Sequence, residues 1–304
     1  MFAPPPRIEA QVFARLGDAL HRPPGRAPWL ELQRPGAPMT SFIEGPAFDR
    51  GGNLWITDIP WGRIFRIDAQ GRIALAAQYD GEPNGLAFHR DGRLIIADHK
   101  QGLMVMDSAD GSVKPFCDRP RGERFKGVND LVFARNGDLY FTDQGQSGLH
   151  DPSGRLYRLR ADGRLECLLE RIPSPNGLVL TPSENALLLA VTRDNAVWRV
   201  PLLPDGSVTK VGVFIRLSGG FGPDGLAIDA EGNLIVCHLG LGAVWVFDPR
   251  GEPLRRIQAT EGSLTTNAAF GGPDGKSLFI TESETGTVLR AELDTRGPML
   301  FSHA

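Results

Sequence analysis

The stretch at residues 44–58, EGPAFDRGGNLWITD, decides the fold, because the chain repeats its pattern five more times. The later copies begin at residues 84, 129, 176, 224 and 267, and they read NGLAFHRDGRLIIAD, NDLVFARNGDLYFTD, NGLVLTPSENALLLAV, DGLAIDAEGNLIVCH and NAAFGGPDGKSLFITE. The six starts are separated by 40, 45, 47, 48 and 43 residues. A repeat of roughly 40 to 50 residues is typical of propeller blades. Six copies predict six blades.

Each copy predicts a β-hairpin, because a turn, glycine-containing in five of the six copies, joins two short apolar stretches. A third strand follows most copies, as in GRIFRIDAQGR at 62–72, and the remaining residues before the next copy supply a fourth. We therefore predict an all-β fold, a six-bladed β-propeller with four-stranded antiparallel blades. A β-sandwich would not repeat one motif six times, and solenoid coils are usually shorter.

The predicted domain organisation is one propeller covering residues 1–304. Residues 8–16, IEAQVFARL, are expected to form an outer strand that pairs with the last hairpins at 276–291 and closes the ring. Residues 17–38, rich in Pro and Arg, are then expected to be an ordered segment that covers the propeller.

Composition excludes several classes of partner. The 33 Lys and Arg residues do not outnumber the 36 Asp and Glu residues, so the chain has no basic excess for nucleic acid. The first ten residues, MFAPPPRIEA, place prolines where a signal peptide has its apolar region, and no apolar run approaches a membrane span. Three scattered cysteines lack metal or redox spacing. We expect a cytoplasmic protein with no membrane partner.

Polar residues open all six copies: Glu44, Asn84, Asn129, Asn176, Asp224 and Asn267. The innermost strand of each blade lines the propeller channel, so these side chains are expected to face one another at one mouth. Two carboxylates and four amides are costly to bury without compensation. One divalent cation supplies that compensation, and oxygen ligands of this kind suit Ca, Mg, Mn, Zn or Fe. The alternative is that Asn-Gly and Asp-Gly pairs here merely make turns.

The motifs EGP at 44–46, GVND at 127–130, SPNG at 174–177 and GPDG at 222–225 closely resemble the SMP-30/gluconolactonase/LRE-like family of six-bladed propellers. The likeness covers residues 8 to 295. It implies metal-dependent hydrolysis of a sugar-acid lactone in carbohydrate metabolism, with Glu44, Asn176 and Asp224 as metal ligands and Asn129 as a further ligand or substrate contact. Asn84 and Asn267 are then spectators. Asp224 is the candidate general base and Asp130 the reserve candidate.

The third copy departs from the family pattern. Some members that prefer sugar lactones have an Arg two residues before the third-blade Asn, and Gly127 occupies that place here. Other candidate substrate contacts are Trp61, Gln144 and His238. Trp61 lies in the first-blade loop, Gln144 lies in the long third-blade loop, and His238 is either a substrate contact or a structural histidine.

Two other functions compete with the lactonase. An axial metal of this kind also suits a phosphoesterase or organophosphatase, because a Lewis acid polarises a phosphoryl oxygen as well as a carbonyl oxygen. A non-catalytic propeller whose metal only braces the blades is the third candidate. The chain has no GxSxG motif, so covalent serine hydrolysis is set aside.

Overall fold

The computed structural model describes residues 4–21, 27–107, 110–118 and 122–303, and most of the chain in these ranges is β-strand. The one α-helix is α1, Pro28–Gln33, within those described ranges. Short 3₁₀ turns lie at Asp18–Leu20, Ile59–Trp61, Thr192–Asp194 and Phe301–His303. The described part of the chain contains no helix with the length and hydrophobicity needed to cross a bilayer. The all-β prediction is confirmed.

The strands follow the sequence repeat closely. The first is β1, Arg7–Arg15. Four strands then belong to each of the first four copies: β2 Ile43–Phe48, β3 Leu54–Asp58, β4 Arg63–Ile67, β5 Ile73–Gln78; β6 Pro83–Phe88, β7 Leu94–Asp98, β8 Gly102–Met106, β9 Val113–Cys117; β10 Val128–Phe133, β11 Leu139–Asp143, β12 Gly154–Leu159, β13 Leu165–Ile172; β14 Pro175–Leu180, β15 Ala186–Val191, β16 Ala196–Pro201, β17 Gly212–Arg216. The last two copies supply β18 Gly222–Ile228, β19 Leu234–Leu239, β20 Ala243–Phe247, β21 Pro253–Ala259, β22 Thr265–Gly271, β23 Ser277–Glu282 and β24 Thr287–Glu292.

Hydrogen bonding divides these strands into four four-stranded sheets and one eight-stranded sheet in the order β18-β19-β20-β21-β1-β24-β23-β22. The prediction of six separate blades is therefore wrong in this respect. Strand β1 pairs antiparallel with β24, as predicted for residues 8–16, with Val12 opposite Leu289. It also pairs parallel with β21, with Ile8 opposite Ile257, which was not predicted. This second pairing merges the fifth and sixth units into one sheet.

The first strands of the six units form a closed ring. Strands β2, β6, β10, β14, β18 and β22 each contact the next, and β22 contacts β2. The apolar core lies between consecutive sheets, as where Trp55 and Ile64 of the first sheet pack against Phe88 and Ile96 of the second. This arrangement is propeller-like, and it brings the starts of all six first strands to one mouth.

Buried threonine hydroxyls join neighbouring units close to the axis. Thr57 donates to the carbonyl of Asn84 at 2.9 Å, which links the first sheet to the second. Thr142 likewise donates to the carbonyl of Asn176 at 2.9 Å, and Thr266 donates to that of Ile43 at 3.0 Å. The acceptors of Thr57 and Thr142 lie in the first strand of the next unit, and the acceptor of Thr266 lies in the first strand of the first unit. These bonds therefore hold neighbouring units of the ring in register.

Replacing Thr57 with Val is expected to lower the free energy of unfolding by about 1–3 kcal/mol, because the buried carbonyl of Asn84 loses its side-chain donor while the side-chain shape stays the same. Denaturant unfolding measures the change. The half-buried Thr209 makes no such inter-unit bond, so Thr209→Val serves as the control and is expected to change stability by less than about 0.5 kcal/mol. Equal effects of the two substitutions would contradict the proposed role of Thr57.

The segment predicted to cover the propeller has a definite contact surface. Residues 22–26 of the predicted 17–38 segment lie outside the described residues. Trp29 and Leu30 of α1 pack with Phe42, Ile59 and Leu264, residues next to the starts of the first strands or the ends of the second strands. Arg63 Nη1 also donates to the carbonyl of Leu20 at 2.6 Å. The described parts of this segment therefore lie on the mouth where the six polar residues converge.

Candidate functional site

The six polar residues that open the sequence copies are the second or third residues of the six innermost strands. All six are between 3% and 7% exposed. The structure therefore places the predicted ring at one mouth of the channel and buries it. A buried ring of carboxyl and amide groups is retained only if these groups have hydrogen-bond partners or a cation.

Close backbone approach between units explains the glycine that follows four of the six ring members. Gly45 has a positive φ of 57°, and a Cβ there would collide with the carbonyl oxygen of Asn84. A Cβ at Gly225 would collide with the amide of Asn267. The third unit has Asp130 at this position instead of glycine. Asp130 is 8% exposed, so it adds a third buried carboxyl group to the site.

The Glu44 and Asp224 carboxyl groups influence each other. Burial raises the pKa of Glu44 well above its usual value, and the charges of Asp224 and Asp130 raise it further. Burial also raises the pKa of Asp224 to about 7, while a hydrogen bond from Asn176 opposes the rise. Near neutral pH, this pair therefore retains protons that exposed carboxyl groups have lost.

Asp130 lies against Asn267. Its Oδ1 accepts the backbone N–H of Leu131 at 2.8 Å, and its Oδ2 accepts Asn267 Nδ2 at 3.3 Å. Burial raises the pKa of Asp130 to about 7. Asn267 also hydrogen-bonds to Glu44, so this predicted spectator supports two of the three carboxyl groups.

The donor chemistry of the site suits a hard divalent cation. In the described residues, no Lys or Arg forms an ion pair within 4.0 Å with Glu44, Asp130 or Asp224. Over the same residues, His, Cys, Asp and Glu side chains do not form a group of three that could hold a metal by themselves. A bound ion would need amide oxygens as well, and Asn176 already hydrogen-bonds to Asp224. Carboxylate and amide oxygens together are the ligands that calcium and magnesium take.

Asn129 is oriented by Gln144. Asn129 Nδ2 donates to Gln144 Oε1 at 3.1 Å, and Gln144 Nε2 donates to Ser174 Oγ at 2.9 Å. Because the amide nitrogen of Asn129 is used in this way, its Oδ1 is the atom left for a metal or a ligand. The structure thus brings these two predicted residues together beside the ring.

Trp61 and His238 both bond to other parts of the protein. Trp61 Nε1 donates to the carbonyl of Thr40 at 2.9 Å. His238 is fully buried, its Nε2 donates to the carbonyl of Gly219 at 3.0 Å, and its Nδ1 accepts Trp245 Nε1 at 3.3 Å. Burial lowers the pKa of His238, which favours its neutral form. Their roles as substrate contacts stay predictions.

Two arginines near Asp224 were missed by sequence reasoning. The Arg34 guanidinium lies 4.9 Å from the ring centroid of Phe221, just before β18. Arg193 follows Thr192, whose hydroxyl donates to the carbonyl of Pro223 at 2.8 Å. The positive charges of both arginines lower the pKa of Asp224 and partly offset the effect of burial. The assignment of residues 17–38 as a covering segment was the one signal that pointed towards Arg34.

Acidic side chains at the ends of second strands fix the approach to the ring. Their carboxylates accept backbone N–H groups from the residues that lead into the innermost strands: Asp58 from Phe42, Asp98 from Glu82, Asp143 from Gly127, and Glu282 from Leu264. These bonds give the recurring acids a structural role. These acids are not members of the ring, but they hold in place the residues that lead into the strands carrying it.

Several known proteins are similar to this chain in sequence and in architecture. A family model described as the SMP-30/Gluconolactonase/LRE-like region matches residues 42–284. The chain is 30% identical to lactonase drp35 of Staphylococcus aureus, over 84% of this chain and 82% of the relative. It is 30% identical to a gluconolactonase of Zymomonas mobilis, over 84% and 80% of the two chains. The crystal structure of regucalcin from Agrobacterium tumefaciens, described as a calcium-binding protein, is 25% identical, covers both chains completely and superposes with a TM-score of 0.79.

Proposed function

The chain belongs to the SMP-30/gluconolactonase/LRE-like family, and from this premise we propose that it is a metal-dependent lactonase that opens the ring of a sugar-acid lactone. The observation that carries the proposal is the burial of the Glu44, Asp130 and Asp224 carboxyl groups beside asparagine side chains, because buried carboxylates need compensation from hydrogen bonds or from a cation. The relatives named lactonase and gluconolactonase support the reaction class.

The proposed metal ligands are Glu44, Asn176 and Asp224, with Asn129 as a fourth ligand or a substrate contact. A divalent ion bound here would polarise the lactone carbonyl and lower the pKa of water. Calcium is our first choice, because the similar regucalcin is described as calcium-binding and the donors are all oxygens. Magnesium, manganese, zinc and iron also take oxygen ligands and are alternatives for the test.

Asp224 is the proposed general base. As a proposed metal ligand, Asp224 would lie beside a metal-associated water and be positioned to accept the proton of that water. Both oxygens of Asp130, by contrast, accept hydrogen bonds from protein groups. Asp130 also lines a cavity of about 320 Å³ together with Phe301 of the C-terminal segment. We therefore assign proton transfer to Asp224 and a supporting electrostatic role to Asp130.

The same proposal includes the domain organisation. We treat residues 1–304 as one propeller domain and the eight-stranded sheet as two blades joined by β1, which makes six blades. Support comes from β18 and β22, which take separate places in the ring of first strands. The packing of α1 at the mouth supports the assignment of 17–38 as a covering segment. The free thiols of Cys117, Cys167 and Cys237 support a cytoplasmic location.

A lactone panel tests the proposed function. We expect the purified protein to release acid from glucono-δ-lactone and related lactones, to lose this activity in a chelator, and to regain it with a divalent ion. A phosphate ester, 4-nitrophenyl phosphate, is included in the same assay. Hydrolysis of the phosphate ester without any lactone would overturn the lactonase assignment. A folded, metal-loaded protein that hydrolyses neither substrate would favour a propeller whose metal only braces the blades.

A further inference from the structure

The far half of the channel contains a cavity of about 320 Å³. All six innermost strands line it, and apart from Asp130 and Asn267 the residues that they contribute are glycine, proline or apolar. Phenylalanines at or next to the ends of four of these strands belong to its wall: Phe48, Phe88, Phe133 and Phe270. Because these strands begin at the ring, their ends place the cavity towards the face opposite the candidate site.

A hydrogen bond crosses the channel at the inner end of this cavity. Asn267 Nδ2 donates to Asp130 Oδ2 at 3.3 Å. The two residues belong to β22 and β10, which face each other across the ring because two other first strands separate them in either direction. The second oxygen of Asp130 accepts the backbone N–H of Leu131 at 2.8 Å. The inner end of the cavity is therefore occupied by polar groups that already have partners.

The interior of the cavity favours an apolar occupant over water. Among the described residues, those that line it contribute no buried side-chain nitrogen or oxygen without a hydrogen-bond partner. A water molecule in a cavity needs two to four polar partners, whereas an apolar cavity of roughly 150 Å³ stays dry and binds benzene. The volume here is about twice that figure. It suits one unbranched alkyl chain and is too small for the two long chains of a membrane lipid.

The C-terminal segment, residues 296–302, crosses the outer end of the cavity. Its Phe301 ring stacks on Phe133, with 4.8 Å between the ring centroids. Just before this contact, Met299 is 74% exposed and Leu300 is 42% exposed, although both line the cavity. The cavity therefore reaches the protein surface beside these two apolar side chains, which gives a ligand a route into it.

Arginines surround this outer end. Arg50, Arg90 and Arg135 follow the first strands of the first three units, and the Nη2 of each donates to a backbone carbonyl of the next unit, at 2.9, 3.2 and 2.6 Å. Arg296 of the C-terminal segment lines the cavity itself. Over the described ranges, Arg50, Arg90 and Arg296 form no ion pair within 4.0 Å, and Arg135 has Glu184 at 3.9 Å. The rim therefore carries positive charge that an anionic head group would complement.

We propose that the far half of the channel is a binding site for a medium-chain fatty acid, whose alkyl chain fills the cavity and whose carboxylate pairs with Arg296 at the rim. The apolar wall favours the chain, because burying CH₂ groups removes them from water. The guanidinium favours a carboxylate, because the planar group accepts two parallel N–H bonds. This site goes beyond the proposed lactonase, since it lies at the other end of the channel and needs no metal.

Calorimetric titration of the metal-free protein with octanoate tests the site, and a chelator leaves the carboxylate no metal to bind. We expect one molecule per chain, with an affinity that increases about tenfold for each two CH₂ groups added from butyrate to octanoate. Octylammonium has the same chain and the opposite charge, so it is expected to bind about tenfold more weakly or not at all. Affinity that does not depend on chain length, or equal binding of octanoate and octylammonium, would overturn the proposal.

Two variants locate the ligand. Arg296→Gln is expected to weaken octanoate binding about tenfold and to leave the binding of octanol unchanged, because only the charged head group loses its partner. Arg66→Gln is the matched control, since Arg66 is exposed on β4 and does not line the cavity. Phe301→Trp places a fluorophore in the cavity wall, and terminally brominated octanoate is expected to quench its fluorescence. Equal effects of the two arginine substitutions, or no added quenching, would contradict this location.

Two other outcomes would assign the ligand elsewhere. Octanoate that competes with glucono-δ-lactone in the hydrolysis assay would bind at the mouth that carries the ring. Sedimentation of the protein with phosphatidylglycerol vesicles, without any binding of octanoate, would indicate a surface that faces lipid. Either result would overturn the cavity site. If the protein hydrolyses no lactone, the proposed function fails but the titration still decides this proposal, because it uses neither metal nor lactone.

Discussion

Asp224→Asn is expected to lower kcat/KM for lactone hydrolysis by about a thousandfold or more. The change removes the proposed general base and one of two carboxylate metal ligands, and each such loss typically costs two to four orders of magnitude. Steady-state acid release at pH 7.5 with saturating divalent ion measures it. In a chelator the variant is expected to be more stable than the wild type, because Asn removes a buried carboxyl group whose pKa is raised to about 7.

The control for this variant is Asp205→Asn, because Asp205 is an exposed loop acid remote from the ring. Its kinetics should match those of the wild type. An Asp224→Asn protein that keeps activity within tenfold of the wild type would contradict both roles assigned to Asp224. A variant that is inactive and also less stable in a chelator would indicate a structural role instead.

Without metal, stability is expected to fall as the pH rises from 5 to 8. Asp130 and Asp224 have pKa values of about 7 in the folded protein and near 3.8 when unfolded, so between these values the folded state holds more protons. The unfolding free energy then decreases with rising pH: the contribution of these protons is complete below about pH 4 and lost above about pH 7. Thermal unfolding in a chelator across this pH range measures the trend, and Asp130→Asn is expected to reduce its slope.

A divalent ion should reverse this trend. Binding needs ionised carboxylates, so affinity increases with pH, and an ion at a thousandfold excess over its Kd adds about 4 kcal/mol to stability. The melting temperature with metal is therefore expected to exceed that of the metal-free protein most strongly at pH 8. A metal effect that is equal at pH 5 and pH 8 would contradict the assignment of these carboxyl groups as the binding site.

Much of the fold was predictable because the residues that form each hairpin follow one another in the sequence. Each copy carries a turn between two apolar stretches, with glycine in five of the six turns, so the start of β6 lies one residue from the predicted start at Asn84, and that of β14 lies one residue from Asn176. The parallel pairing of β1 with β21 was not predictable in this way. It depends on which strand edges are free once the ring forms, and no residue near Ile8 encodes that choice.

The site residues that belong to the repeated motif were predictable from the sequence. Glu44 and Asp224 were found because they open their copies, and Asp130 was found because it follows Asn129 directly. Arg34 escaped notice because its place depends on tertiary packing. It reaches Phe221 from the covering segment. Sequence spacing carries no information about such contacts between distant segments.

Strand β1 has a consequence for biosynthesis. Among the described strands, β1 is synthesised first and β24, with which it pairs, is synthesised last. The first four sheets use only neighbouring strands and are able to assemble while translation continues, but the eight-stranded sheet needs β1 together with strands that are synthesised much later. Until β21 and β24 are synthesised, both hydrogen-bonding edges of β1 are unpaired. An unpaired strand edge is prone to pairing with a second nascent chain. We expect misassembly of this protein to begin at the unpaired edges of β1 in nascent chains.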